Sequence, residues 1–536
     1  MRHIDKLKNV KMALETKVHA AEAVFDRVQT KLPPTLTHTS VTILTLLALT
    51  LISRIGSLQT EVFNWDESTF ILVGSSFAHG HLPYTETWDI KPPGLTYALG
   101  AALAIFGDTM VTVRMFGAAC VFAMAVLVFL ICKRHGSYAT ALSAAVMTIC
   151  AQSVSEAQGV YTETLAITLV LAGLYTLMRA RDRVWMFALA GLLIGAATVT
   201  RTNMAFVALT LGIYLIVVAG RTRTKTDATA LALFTAGGFT MLGLVIAPYV
   251  LSGQLDLFIF ANVTAPLEYA SGQLSPFLIF LAIVLVTPVV GIFYPDIWGI
   301  FLFLAVWAFV RTRPWQRLKQ PRQTFAHITA DREAFLIALT GASVVLGMSM
   351  NGAATWHHLI QLVPFLAIAA AQAIEHDDRP RFKLLVLVMV VTTMLRTLPG
   401  TVHVLSTGYE GIKQDQTIAT LAREIAQDQA ADDRVFALGG QLVYWYLKQP
   451  PLNKYATHPS NIFKPLFVDL LRDNGKFDGD IFEETMKKQP KYILWQPEQN
   501  KALDGPAGQP VRDVLASKYA LWTSHGAYVV YRRTDN

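Results

Sequence analysis

The sequence predicts a polytopic α-helical membrane protein that ends in a small α/β segment outside the bilayer. Three observations predict it. Of the 536 residues, 53% are hydrophobic and only 15% charged, where a soluble domain carries roughly 25% charged residues; the mean hydropathy is +0.41. The apolar residues come in blocks of about 16–24, long enough to cross a bilayer as helices. Lys and Arg gather in short clusters between the blocks, as the positive-inside rule requires.

The same numbers exclude other classes. A disordered chain cannot be this apolar. The net charge of +7 would suit a nucleic acid, but no basic–aromatic surface or binding motif accompanies it, so no nucleic-acid partner is expected. Cys120, Cys132 and Cys150 lie in or beside apolar blocks, which leaves the polar tail without a disulfide. No CxxC or His/Cys cluster has zinc spacing.

In order along the chain, residues 1–40 carry Ile4, Leu7, Leu14, Val18, Ala21, Phe25, Val28 and Leu32 at three- and four-residue spacing. This is an amphipathic helix, ended by Pro33-Pro34. A membrane-surface helix and a plain cytoplasmic extension fit it equally. Eleven spans follow within a membrane domain of residues 41–405: 41–58, 109–132, 137–152, 163–178, 184–200, 203–219, 228–250, 289–310, 333–350, 358–374 and 382–399. Residues 94–106 and 276–287 are read as helices on, or dipping into, the outer face. From 406 to 536 the composition turns soluble, with strands near 434–438, 492–495 and 527–531 and helices near 464–471 and 481–488.

These spans put Lys133-Arg134, Arg179, Arg181, Arg183, Arg221, Arg223, Lys225, the basic run from Arg311 to Arg322, Arg379, Arg381 and Lys383 on one side with the N-terminus. The expected side is the cytoplasm. The opposite loops are nearly free of cations. Lys91 is the only Lys or Arg between Arg54 and Arg114. Lys91 and Arg201 therefore stand out as candidate ligands for an anion.

The first outward stretch reads Asn64-Trp65-Asp66-Glu67, then Leu82-Pro83-Tyr84, then Trp88-Asp89-Ile90-Lys91-Pro92-Pro93-Gly94. Acidic residues directly after a span are costly against lipid and persist where water or substrate meets them. Two prolines and a glycine fix the backbone beside a carboxylate and a cation.

An acidic pair after the first span, a Lys-Pro-Pro turn and a short apolar helix ending in Phe-Gly resemble the polytopic GT-C glycosyltransferases. The likeness is strongest to the bacterial protein-mannosyltransferase-like group that includes the lipid A aminoarabinose transferase. Further pieces follow in order: Tyr161-Thr162-Glu163, Gly195 to Arg201, Trp356-His357-His358 with Gln361-Leu362-Val363-Pro364, Asp433 to Ala437, and the closing Tyr528 to Arg533. The chain departs from the group in two places. Thr200-Arg201-Thr202 stands where relatives have Thr-Lys-Gly, and Glu163 where they often have Asp.

The resemblance implies transfer of a sugar from a polyprenyl-phosphate donor to a cell-envelope lipid or saccharide, at the periplasmic face of a bacterial inner membrane and among membrane lipids. A protein hydroxyl as acceptor is the alternative. A secondary transporter would place charges at mid-membrane in inverted repeats, which this chain lacks. Asp66 is the expected base and Glu163 its catalytic partner. Lys91 and Arg201 are the expected phosphate ligands. Glu67, Tyr84, Asp89, Arg54, His357 and His358 are further candidates for contact with substrate. Each has a plainer reading: a solvated neighbour for Glu67, a turn-stabilising Asp for Asp89, a headgroup-snorkelling cation for Arg54, a satisfied structural pair for the histidines. No cofactor is implied and no metal ligand is assigned, although the histidines leave a divalent metal open.

The orientation generates a test. A cysteine introduced at position 450 should react with a membrane-impermeant maleimide in intact spheroplasts. Protection there until the membrane is opened would contradict the topology.

Overall fold

The computed structural model describes residues 38–180, 183–271, 275–283, 332–350, 356–375, 381–477, 479, 481–497 and 508–534. The N-terminal amphipathic segment, the expected span at 289–310, Arg181 and Lys319 lie outside these residues. Of the described residues, 38–49 fall in one unit and those from Thr50 onward in another; the contacts below belong to the second.

Ten of the expected spans appear as helices: α1 (His38–Arg54), α4 (Met110–Cys132), α5 (Tyr138–Gln152), α6 (Thr162–Arg179), α7 (Trp185–Thr200), α8 (Ala205–Thr222), α9 (Lys225–Leu251), α10 (Arg332–Ser349), α11 (Val363–Glu375) and α12 (Arg381–Thr407). Among the described residues, six helices are long and apolar enough to cross a membrane, and several others are apolar but shorter. The last helix runs through Pro399 to Thr407, eight residues beyond the expected end. The short apolar helix is α3 (Gly94–Phe106), closed by Gly107 at φ +99°.

Packing without a hydrophobic driving force needs close backbones. Helices α7 and α9 achieve it through glycine. A Cβ on Gly191 would fall 1.9 Å from the Phe234 carbonyl oxygen, and one on Gly237 2.0 Å from that of Ala188.

The stretch expected to be an extended outward loop contains α2 (Trp65–Ala78). Asn64 caps it, accepting from the Glu67 N–H at 3.0 Å, and Asp66 and Glu67 occupy the first turn, where negative charge suits the helix dipole. Every residue from Glu67 to Ser76 is buried. A helix buried all round has no apolar stripe, so its sequence has no helical period to read.

Glu67 is correspondingly no solvated neighbour. It is fully buried and paired with Arg114 of α4, which is also fully buried. The Glu67 carboxylate further accepts from the N–H groups of Phe63 and Val160. Arg54 is likewise a correction. It is 1% exposed and donates to the carbonyls of Gln152, Ala157 and Gln158, so it neither reaches headgroups nor enters the site. It ties the end of α1 to the turn before α6.

The C-terminal segment carries a four-stranded sheet in the order β1 (Val435–Ala437), β2 (Tyr492–Trp495), β4 (Tyr528–Arg533), β3 (Tyr519–His525). The β1–β2 pair is parallel; β2–β4 and β3–β4 are antiparallel. Strand β3 was not expected. Much of it is exposed, which blurs its pattern. Helix α13 (Thr417–Asp428) covers the sheet and receives Glu61 at its N-terminus, whose carboxylate accepts from Ile418 and Ala419 N–H at 2.9 and 2.8 Å. Asp108 adds a second tie, accepting from Trp445 Nε1 at 2.6 Å and Lys448 Nζ at 2.8 Å. Leu421, Val443 and Trp445 share one apolar core with Phe70 and Leu99 of α2 and α3. The tail is therefore packed into the helices rather than tethered to them.

The Glu67–Arg114 pair gives a stability test. Removing one partner of a buried ion pair costs about 3–5 kcal/mol. Arg114→Leu should lower the melting temperature in detergent sharply, and adding Glu67→Gln should recover part of the loss. A single variant that melts like wild type would contradict the pairing.

Candidate functional site

A cavity of about 980 Å³ lies where α2, the Lys91 turn, the start of α6, the end of α7 and the tail meet. Its polar floor holds two ion pairs. Lys91 Nζ sits 2.6 Å from Asp66 Oδ1, and Arg201 Nη1 sits 2.7 Å from Glu163 Oε1. The four residues singled out from sequence are thus brought into one pocket, but paired with each other.

Local sequence explains the placement. Asp66 is held by the capped first turn of α2. Lys91 precedes Pro92-Pro93-Gly94, and a Cβ on Gly94 would come within 2.4 Å of Thr200 Oγ1. Only glycine lets this turn lie against the end of α7, where the helix stops and Arg201 begins. Arg201 Nη1 also donates to Thr162 Oγ1 at 2.9 Å, which in turn donates to Glu163 Oε2 at 2.9 Å. Asp89 lines the cavity, 3.8 Å from Lys91 Nζ, and accepts from the Ile90 N–H; it serves both the turn and the cation.

The histidines bridge the two pairs. His357 Nε2 lies 3.6 Å from Asp66 Oδ2 and 3.7 Å from Glu163 Oε1. Its ring stacks on Tyr161 with centroids 5.5 Å apart. His358 Nε2 lies 3.9 Å from Glu163 Oε1. Glu163, His357 and His358 offer three ligand atoms within 4.8 Å of one another, a set that a divalent metal could use. Arg201 already brings a positive charge to the same Glu163 oxygen.

Tyr84 does not line the cavity. It is buried against Tyr249 and its hydroxyl donates to the Lys91 carbonyl at 2.8 Å, so it shapes the turn from behind. Sequence reasoning missed His458, Lys464, Asn262 and Tyr269, all of which line the cavity. His458 Nε2 is 3.6 Å from Asp66 Oδ1. No local signal marks it: it comes from a tail read as a separate domain. Phe206, Val263, Leu267 and Phe467 give the cavity an apolar wall, and Val263 and Leu267 are largely exposed beside it.

The electrostatics follow from burial and pairing. Burial alone would raise the Asp66 carboxyl, but Lys91, with His458 and His357, outweighs it and holds the group well below the usual carboxylate range. Burial would lower Lys91, but Asp66 and Asp89 outweigh it and raise the ammonium. Asp89 is raised, chiefly by burial. Burial also pushes His458 down to about 4, so its ring is neutral near pH 7.

Comparison with known proteins fits this architecture. The sequence profile of the dolichyl-phosphate-mannose-protein mannosyltransferase family matches residues 90–242, a stretch that includes Lys91, Glu163 and Arg201. No curated protein matches the chain. Among solved structures, ArnT from Cupriavidus metallidurans bound to undecaprenyl phosphate is similar with a TM-score of 0.59 at 13% identity, covering 93% of this chain and 99% of that one. The same protein in the apo state gives 0.60 at 14% identity, with 92% and 98% covered. The chain has the GT-C fold and is a multi-pass membrane protein.

The Asp66–Lys91 pair has a defined pH signature. Asp66 titrates lower folded than unfolded, so its stabilisation is present above its unfolded value of about 3.9 and fades only as the pH falls toward the folded one. Lys91 titrates higher folded than unfolded, so its share is complete below about 10.4 and fades above it. Lys91→Met should destabilise by about 1.5–3 kcal/mol on a plateau between about pH 7 and 9. The gap to wild type should shrink on acidification, as the stranded, buried Asp66 takes up a proton. Thermal melts across pH check this; a gap that widens in acid would contradict it.

Proposed function

We propose that this protein is a glycosyltransferase that moves a sugar from a polyprenyl-phosphate donor to a hydroxyl of a cell-envelope lipid or saccharide. The observation that carries the reading is the direct contact of Asp66 and Lys91 in one cavity. A base for a hydroxyl and a cation for a phosphate stand side by side there. The apolar wall at Val263 and Leu267 suits an isoprenoid chain entering from the bilayer. The fold shared with an undecaprenyl-phosphate-bound protein supports the same donor class. The reaction would run at the periplasmic face of a bacterial inner membrane, with residues 406–536 on that side.

In the proposed reaction the acceptor oxygen attacks the anomeric carbon, its proton passes to Asp66, and the bond from that carbon to the phosphate oxygen breaks. The electron pair leaves on the phosphate, giving polyprenyl phosphate. Lys91 meets the charge that grows there, as preorganised cations do best in a dry site. The paired state also explains how the base is armed. While Lys91 rests on Asp66, the carboxylate is a poor base. A phosphate that takes over the ammonium leaves Asp66 buried with less compensation, which raises its basicity. Arg201 is the second phosphate candidate. Glu163, already neutralised by it, orients the acceptor. One in-line displacement with one base inverts the anomeric centre. A double displacement would need a carboxylate nucleophile beneath that carbon and a second acid–base group. A protein Ser or Thr hydroxyl as acceptor would use the same groups.

Purified protein in nanodiscs, given lipid-linked sugars and envelope lipid, tests the reading. Asp66→Asn should cut turnover about 100-fold or more, as for a lost general base, while the donor still binds. Glu163→Gln should cost less. NMR of the product should show inversion. Wild-type turnover in Asp66→Asn would overturn the assigned base, and retention would overturn the single displacement. Solute transport without sugar transfer would overturn the enzyme.

A further inference from the structure

His458 has no role in the reading above, yet it enters the cavity from the far end of the chain. Its position is built rather than incidental. Thr69 Oγ1 donates to the Thr457 carbonyl at 3.0 Å, Thr457 Oγ1 donates to the Trp88 carbonyl, and the Trp88 N–H donates to the Lys454 carbonyl at 2.9 Å. Trp88 itself is fully buried, stacked on Phe260 and edge-on to Tyr455. The turn that carries Lys91 and the segment that carries His458 are thereby stitched in fixed register.

The ring's proton is also placed. The Ser460 N–H donates to His458 Nδ1 at 3.1 Å. In a neutral imidazole the other nitrogen then carries the hydrogen, and that nitrogen, Nε2, faces Asp66 Oδ1. The ring faces Asp66, Lys91 and Lys464, and its burial keeps it neutral. It is a fixed donor at neutral pH.

We propose that His458 is a ligand of the lipid-linked phosphate, acting together with Lys91. Both nitrogens converge on one oxygen position, Lys91 Nζ at 2.6 Å and His458 Nε2 at 3.6 Å from Asp66 Oδ1. A phosphate oxygen that displaces that carboxylate oxygen meets an ammonium from the membrane part and an N–H from the tail at once. Asp66 Oδ2, on the His357 side, is left for the acceptor. The tail thus completes the donor site. This inference rests on the polyprenyl-phosphate reading.

Binding of undecaprenyl phosphate to the full chain in nanodiscs tests it, with two variants that separate the ring's nitrogens. H458Q keeps an amide N–H near the Nε2 position and loses the Nδ1 cap. H458N keeps a capping acceptor and loses the pocket donor. The expected result is about a tenfold weaker affinity in H458N and near-wild-type affinity in H458Q. Turnover should follow affinity, with H458Q melting no higher than H458N. Wild-type affinity in H458N, or the reverse order of the two variants, would assign His458 a structural role and overturn the inference while leaving the donor reading standing. Failure of the wild-type protein to bind undecaprenyl phosphate would overturn the donor reading and this inference with it.

Discussion

A carboxylate taken out of water must be met by a cation or give up its charge, and this molecule meets that demand three times within one region. Glu67 takes Arg114, Asp66 takes Lys91 and Glu163 takes Arg201. Truncating one partner of such a pair costs several kcal/mol because the other is left stranded. The three pairings therefore fix which helix end meets which turn. The Glu67 pair sets the start of α2 against α4, the Asp66 pair brings the Lys-Pro-Pro-Gly turn to α2, and the Glu163 pair closes α6 on α7.

The pairs differ in what they can do. Glu67–Arg114 is sealed, with both side chains wholly buried, so it holds the frame. Asp66–Lys91 is reachable, with side chains 22% and 24% exposed, so a ligand can break it. The adjacent residues of one acidic pair thus differ in place, Glu67 sealed as an anchor and Asp66 facing the cavity as the proposed base, and a one-turn helix start decides which is which. In the proposed reaction an arriving phosphate competes for Lys91, and the same competition strengthens Asp66 as a base. On the proposed mechanism, ligand binding and base activation are one event.

Much of this was legible in the sequence. Apolar block length located α1, α4–α9 and α10–α12, because a helix in lipid must be continuous and apolar. The scarcity of outward cations drew attention to Lys91 and Arg201, and both reached the cavity. What was illegible has physical causes. Helix α2 is buried on all sides and has no periodic stripe. Arg54 lies next to the acidic loop in sequence, but its guanidinium donates to the carbonyls of Gln152 at the end of α5 and of Ala157 and Gln158 in the turn before α6. Tyr84 turned out to support the Lys91 turn rather than face the cavity. His458 could not be found, because Thr457 and its partner Thr69 are 388 residues apart and nothing local marks a residue that acts across such a distance.

The central claim is that the Asp66–Lys91 contact is the resting state of a phosphate site. A cryo-EM structure of the full chain with undecaprenyl phosphate in nanodiscs tests it most directly. The account predicts the phosphate within hydrogen-bond distance of Lys91 Nζ, with Lys91 drawn away from Asp66 Oδ1. A phosphate seated elsewhere, with the Asp66–Lys91 pair still closed, would contradict it.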